Sequence, residues 1–329
     1  MPIRHLLSVK DLDPSELLYL AERGLRIKRG ETPPEPLRGK AVGIWFRKTS
    51  TRTRTAFGIG GAKLGAATIA YGPGDLQTNT GETVEDTAAV LSGFLDALVV
   101  RTAEPVEEMR ALAAQDRMAV VNAMSDLEHP TQALADLTTL LEHFGRLRGL
   151  HLLYAGEGNN TAAALALAIA RIPDMRLTLL TPAGYGLPPT VLAEALACAA
   201  GSGACVEERH DPAGPPRGVD AVYTTRWQTT GSTKPDPDWR RHFEPFRVTE
   251  ALFREAAGPG TVFMHDLPAV RGDEVDAALL DGPRSIALRQ AENKLYGAMA
   301  VLEWCVAGPQ RPGAVSLSVH QTLRPGVYS

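Results

Sequence analysis

The sequence predicts an α/β protein of two doubly wound parallel-sheet domains joined by a long helix. Three observations carry this. At 329 residues the chain is too long for one ordinary core, and about two domains are expected. Short apolar runs alternate with helical patterns along most of the chain, the order that parallel sheets require. A continuous helical stretch at 130–144, closed by the turn from Gly145 to Gly149, divides the strand runs into two series.

In the first series, apolar runs at 41–46, 67–71, 97–100 and 119–122 read as buried strands, with helical patterns at 51–64, 84–93 and 105–115 between them. The second series has runs at 150–155, 176–181, 221–224 and 261–265, with a helix at 160–171. A last strong helix is expected at 288–306, and the Pro-, Gly- and Ser-rich tail from Gly308 to Ser329 is expected to be irregular. The expected division is 1–145 for the first domain, 146–288 for the second, 289–307 for the C-terminal helix and 308–329 for the tail. No repeat at a fixed period and no low-complexity block interrupts this plan.

A composition of 44% hydrophobic and 22% charged residues is that of a soluble globular protein and excludes disordered and fibrous classes. The net charge of -4 creates no field that would steer a nucleic acid or an acidic membrane toward the chain. Cys198, Cys205 and Cys305 form no CxxC pair, so neither a disulfide scaffold nor a zinc module is expected. The first ten residues lack a signal-peptide pattern, and no apolar run reaches the roughly 18 residues of a membrane span. A cytoplasmic protein is the expectation.

Three stretches carry chemistry. Phe46-Arg47-Lys48-Thr49-Ser50-Thr51-Arg52-Thr53-Arg54-Thr55 lies between a strand and an amphipathic helix, alternating hydroxyls and cations. A helix start has free N–H groups and partial positive charge, so such a run makes a phosphate cradle. The plain alternative is a Ser/Thr cap followed by a solvated basic turn. His129-Pro130-Thr131-Gln132 sets an imidazole just before a helix and an amide in its first turn, where both can face one small ligand or simply close the helix start. The missing His-Glu-x-x-His and the absence of a second nearby His argue against zinc. His265-Asp266-Leu267-Pro268-Ala269-Val270-Arg271-Gly272 follows a strand end, where ligands of open α/β sheets gather, although a Pro turn alone would look the same.

Together these stretches resemble the aspartate and ornithine carbamoyltransferase family over nearly the whole chain, in the family's order and spacing, and the ornithine branch more than the aspartate branch. The resemblance implies two doubly wound domains with the C-terminal helix returning to the first. It implies a transfer of the carbamoyl group of carbamoyl phosphate to an amine, with no cofactor and no metal. Ser50, Thr51, Arg52 and Thr53 would hold the phosphate, joined by Arg101. His129 and Thr53 would contact the carbamoyl oxygen, while Gln132 and the Leu267 carbonyl would orient the carbamoyl nitrogen. Arg271 would complete the cationic cage. Gln77, in the loop 75–82, resembles the family segment that reaches into a neighbouring subunit's site, which implies a homotrimer. Arg52, Arg101 and His129 would carry catalysis by stabilising the oxyanion and the departing phosphate.

On the acceptor side the sequence departs from the ornithine pattern. Asp266 stands where a His-Cys-Leu-Pro motif has Cys. The run Arg226-Trp227-Gln228-Thr229-Thr230-Gly231 matches Asp-x-Trp followed by Ser-Met-Gly, with Arg226 read at the position of the Asp and Thr230 among the acceptor residues. Arg226-x-Gln228 is closer to an Arg-x-Gln of the aspartate branch, yet the Lys of that branch's mobile loop is missing, and Asn159-Asn160 is ornithine-like, with Asn160 on the acceptor's carboxylate. The expectation is an atypical acceptor: a carboxylate or blocked α-amine near Arg226 and a basic nitrogen near Asp266, which would assist its deprotonation. Alternatively Asp266 and Arg226 pair with each other across the site.

Two other functional readings compete. Gly156-x-Gly158 after a strand imitates a dinucleotide fingerprint, but the third Gly is absent and the next strand ends in Thr181 rather than an acid. A catalytically silent paralogue that binds carbamoyl phosphate or an amino acid and regulates a partner is the second. The complete donor set, from Ser50 to Arg271, favours turnover.

Overall fold

The structure, a computed structural model, describes residues 3–31, 35–229 and 233–309. Strands β1 (Ala41–Phe46), β2 (Ala67–Tyr71), β3 (Ala97–Arg101) and β4 (Ala119–Asn122) form a parallel sheet in the order β2-β1-β3-β4. Strands β5 (His151–Ala155), β6 (Arg176–Leu180), β7 (Cys205–Arg209), β8 (Val219–Thr224) and β9 (Ala257–His265) form a second parallel sheet in the order β7-β6-β5-β8-β9. The central strands are nearly uniform apolar runs because both of their faces are covered by helices.

The first sheet's helices are α1 (Pro14–Lys28), α2 (Arg52–Lys63), α3 (Val84–Leu91) and α4 (Glu107–Ala113). The long helix α5 (Pro130–Phe144) leads to the second sheet and ends at Gly145, whose φ of 69° is the left-handed conformation that a glycine adopts without strain. Around the second sheet lie α6 (Asn160–Ile169), α7 (Pro189–Ser202), α8 (Trp239–Phe243), α9 (Glu250–Ala256) and α10 (Ala277–Leu280). Helix α11 (Ala287–Val306) returns to pack on α1, α2 and α5. One apolar core runs from Leu6 through α5 and α6 to Trp304, joining both sheets. Smaller clusters cover the outer faces, around Trp45 and Val100 on one sheet and Phe253 and Phe263 on the other.

The sequence reading did not anticipate α1, α7, β7 or the short α8, α9 and α10. Strand β7 is an edge strand, Cys205-Val206-Glu207-Glu208-Arg209, whose three charged residues hide the apolar signal. Strand β9 also begins earlier than the apolar run at 261–265 suggested. The expected tail falls outside the described residues from position 310 onward.

The winding reverses between β1 and β3 in one sheet and between β5 and β8 in the other. Ligands of open α/β sheets bind outside the carboxyl ends of strands at such points. The segments leaving β1, β3, β5 and β8 therefore form two half-sites.

Candidate active site

The half-sites meet in one cavity of about 260 Å³, lined among others by Thr49, Ser50, Thr51, Arg52, Thr53, Arg101, His129, Gln132, Asn160, Arg226, Gln228, Asp266, Leu267 and Lys294. The donor half comes from the first sheet and α5. The chain leaves β1 at Phe46 and enters α2 through Thr51, whose hydroxyl makes no cap bond to its own helix. The first-turn N–H groups and the Ser50, Thr51 and Thr53 hydroxyls thus face a shared space with Arg52. Arg101 is the last residue of β3 and only 8% exposed.

Four basic groups, Arg52, Arg101, His129 and Lys294, line the same cavity. The Nε atoms of Arg52 and Arg101 are buried with no hydrogen-bond partner. Burial, reinforced by the Arg52 charge and partly offset by Asp266, lowers Arg101 to about 10. Arg52 is lowered too, by burial against the pull of Asp266. Lys294 of α11, which the sequence reading missed, falls to about 8 because it is buried beside Arg52 and Arg101, despite Asp266 and Asp136. Burial, then the charges of Arg101 and Lys294, hold His129 well below the ordinary histidine range, so its ring is neutral at neutral pH. Arginine only donates, so His129 Nε2 accepts from Arg101 Nη1 at 3.4 Å and Nδ1 carries the proton toward Thr131 Oγ1 at 3.3 Å. Such mutually repelling cations are the signature of an anion site.

The acceptor half comes from the second sheet. Asn159 caps α6 by accepting from the backbone N–H groups of Thr161 and Ala162, while Asn160 Nδ2 donates to Ser125 O at 2.8 Å. Asp266 follows β9, and its carboxylate accepts from the hydroxyls of Thr161 at 2.9 Å and Thr225 at 3.0 Å. Burial would raise that carboxyl, but the His265 ring, the Lys294 charge and the Thr161 hydroxyl outweigh it and hold Asp266 below the usual carboxylate range. Lys294 Nζ donates to the Asp266 backbone oxygen at 3.1 Å, tying α11 to this turn. Leu267, at φ 55° and joined to Pro268 by a cis peptide, lines the cavity with it.

Several expectations need correction. Arg271 does not join the cage: it is exposed at a turn and makes a bidentate ion pair with Asp281 at 2.9 and 2.6 Å. Lys294 supplies the cation instead. Asp266 and Arg226 do not pair, since the Asp266 oxygens face Thr161 and Thr225. With Trp227 as the fixed point, the Asp-x-Trp spacing sets Thr225, not Arg226, at the position of the family's Asp. Thr225 touches Asp266, so the carboxylate that the motif carries on β8's end is carried here on β9's end. Gln77 was expected at a neighbouring subunit's site and needs no such correction: it lies in a 3-10 turn, Gln77–Thr80, outside this chain's own cavity, where its side-chain oxygen accepts from Thr80 Oγ1. Thr230 lies outside the described residues. Gly158 is no dinucleotide glycine: a Cβ there would lie 2.2 Å from the Gly186 carbonyl carbon, so it serves close backbone packing.

Comparison with known proteins agrees with this geometry. The model of the aspartate/ornithine carbamoyltransferase carbamoyl-P binding domain matches residues 4–142, and that of the Asp/Orn binding domain of the same family matches residues 148–305. An ornithine carbamoyltransferase of Parafrankia sp. is 41% identical over 92% of this chain and 96% of its own. One of Oceanobacillus iheyensis is 38% identical over 91% of this chain and 93% of its own. The solved ornithine carbamoyltransferase of Pyrococcus furiosus superposes with a TM-score of 0.86 at 35% identity, covering 93% of this chain and 98% of that one. The chain belongs to the aspartate/ornithine carbamoyltransferase family and is a carbamoyltransferase. The expected atypical acceptor site is not borne out by these relatives, each of which is named for ornithine.

Proposed function

We propose that the protein moves the carbamoyl group of carbamoyl phosphate to the side-chain amine of ornithine, releasing phosphate and a ureido product. The observation that carries this is the cluster of the buried Arg101 and Lys294 with the half-buried Arg52, beside the Asp266 carboxylate in one cavity. The cations, with Ser50, Thr51 and Thr53, suit a phosphate dianion. Gln132 and the Leu267 carbonyl suit the carbamoyl amino group, and the Thr53 hydroxyl and the Arg101 guanidinium, which His129 orients by accepting from it, suit its oxygen. Arg226 and Asn160 suit the acceptor's carboxylate, with Gln228 alongside, and Asp266 suits its cationic nitrogen. The ornithine names of the relatives support the same acceptor.

In the reaction the neutral amine attacks the carbonyl carbon, a C–N bond forms, and charge develops on the carbonyl oxygen. Collapse breaks the bond to the phosphate oxygen, and the phosphate leaves held by Arg52 and Arg101. The amine proton passes to the leaving phosphate or to solvent. A preorganised donor at an oxyanion contributes about 3–4 kcal/mol, and holding both reactants in one cavity contributes several more.

The active form we propose is a cytoplasmic homotrimer in which Gln77 reaches a neighbouring site. Among the described residues no helix is long and apolar enough to cross a membrane. The test is to incubate the purified protein with carbamoyl phosphate and ornithine, acetylornithine, lysine, aspartate or diaminopropionate, and to measure the ureido product by mass spectrometry. Ornithine should turn over fastest. Turnover of another acceptor without ornithine overturns the acceptor assignment, and no turnover at all favours the silent binder.

A further inference from the structure

A buried amide sits at the edge of the donor site with one end committed and the other open. Gln132 Nε2 donates to Asp136 Oδ1 at 2.7 Å, one helical turn along α5, while Gln132 Oε1 is buried without a partner and the side chain lines the cavity. An amide can rotate by half a turn and exchange its oxygen and nitrogen at little intrinsic cost. The group behind it decides which end faces the ligand.

That group is fixed from three sides. Asp136 Oδ1 also accepts from Gln290 Nε2 at 2.7 Å, and Oδ2 accepts from the Tyr223 hydroxyl at 3.0 Å. Gln290 is itself oriented, because its Oε1 accepts from the His265 backbone N–H at 2.9 Å, next to Asp266. A directed chain of hydrogen bonds therefore runs from the end of β9 through Gln290 and Asp136 to Gln132. We propose that Asp136 is a positioning residue that holds the Gln132 oxygen toward the cavity, so that the site accepts a hydrogen bond from the amino group of the donor and thereby selects a carbamoyl over an acyl phosphate. This rests on Gln132 contacting the carbamoyl amino group.

Burial raises the Asp136 carboxyl to about 7 despite the bonds from Gln132 and Gln290. A proton taken up there can sit on Oδ2, where the Tyr223 hydroxyl turns to accept it, and Oδ1 keeps both amides. The orientation of Gln132 therefore survives either protonation state.

The readout is discrimination between carbamoyl phosphate and acetyl phosphate, which replaces the amino group by a methyl, with inorganic phosphate as a control for the cation cage. Affinities are taken from the KM of carbamoyl phosphate and the inhibition constants of the other two. Gln132→Ala should lower the discrimination about tenfold, the worth of one buried hydrogen bond. Asp136→Ala should lower it as much, with phosphate inhibition within about twofold of the parent, and the double variant should lose no more than either single one. If Asp136→Ala does not fold, Asp136→Ser carries the same test: it admits a water, which both donates and accepts and so selects neither amide orientation. Asp136→Asn should retain discrimination, its carbonyl replacing Oδ1 and its amide meeting Tyr223. If Gln132→Ala leaves discrimination intact, the contact with the amino group is wrong and the inference falls with it. If Gln132→Ala loses discrimination while Asp136→Ala keeps it, or weakens all three ligands equally, the role of Asp136 alone is overturned. So is it if Asp136→Asn behaves like Asp136→Ala.

Discussion

Raising the pH should weaken anion binding at the donor site well before any arginine titrates, because Lys294 sits near 8 rather than its ordinary 10.5. At one unit above that value about one protein in ten keeps the ammonium, so affinity for a phosphate dianion should fall about tenfold between pH 7 and 9, or about 1.4 kcal/mol. Arg101, at about 10, remains charged through most of this window. The assay is inhibition by inorganic phosphate at several pH values, in parent and Lys294→Arg protein, whose guanidinium keeps its charge throughout. The ratio of the two inhibition constants cancels the ligand's own ionisation. Folding stability should move the other way: the native state releases this proton first, so the contribution of Lys294 to stability increases from about pH 8 toward 10.5 while phosphate binding declines. A parent-to-variant ratio that stays flat across the window refutes the role given to Lys294.

Three further outcomes are expected. Arg271→Ala should leave the KM for carbamoyl phosphate within about twofold, since an exposed ion pair outside the cavity lining contributes little, and steady-state kinetics check it. Asp266→Cys should raise the acceptor KM roughly ten- to a hundredfold by removing a charge-assisted bond, and adding Thr225→Asp should recover most of the loss by restoring the carboxylate on β8, measured with ornithine at saturating donor. Arg23 and Glu303 form a buried bidentate pair at 2.9 and 3.1 Å between α1 and α11, so Arg23→Met should cost about 3–5 kcal/mol in denaturant unfolding, and Arg23→Met with Glu303→Leu should recover much of it.

Much of this architecture can be read from residue order because buried parallel strands are continuous apolar runs. β1 and β4 lie at 41–46 and 119–122 as read, and α5 begins at Pro130. Helix α1 is also legible: Asp13 and Glu16 form a capping box before Leu17 and Leu20. Ser50 to Thr53 are legible because hydroxyls and cations alternate between a strand and a helix start, and Arg101, the last residue of β3, through the family resemblance. Lys294 is not, since nothing in the local sequence says which neighbour the buried face of α11 meets. Gln290, Asn293 and Lys294 nonetheless mark an unusually polar stripe on a buried helix face. Arg271 misled through nearness in sequence: four residues beyond Leu267 it is already exposed at a turn, and Asp281 takes the guanidinium. The misplacement of the family Asp at Arg226 was an error of one register step. The spacing to Trp227 exposes it, and the contact between Thr225 and Asp266 gives it a physical meaning.

The two half-sites are joined by polar bonds at the cavity wall as well as by the apolar core behind it. His129 N donates to Asn160 O at 3.1 Å, Asn160 Nδ2 to Ser125 O at 2.8 Å, Tyr223 to Asp136 at 3.0 Å, and Lys294 to Asp266 O at 3.1 Å. Each of the first three crosses between segments of the two sheets, and the fourth comes from the helix that packs on both α2 and α5. Apolar packing tolerates small slides, whereas a buried hydrogen bond is lost over a fraction of an ångström and leaves an unsatisfied group that costs about 1–3 kcal/mol. Bonds of this kind therefore fix the distance between donor and acceptor more tightly than the core could. For a reaction whose acceleration comes largely from aligning two bound molecules, where a misplacement of about 1 Å costs about a hundredfold, that register is itself part of the catalytic apparatus.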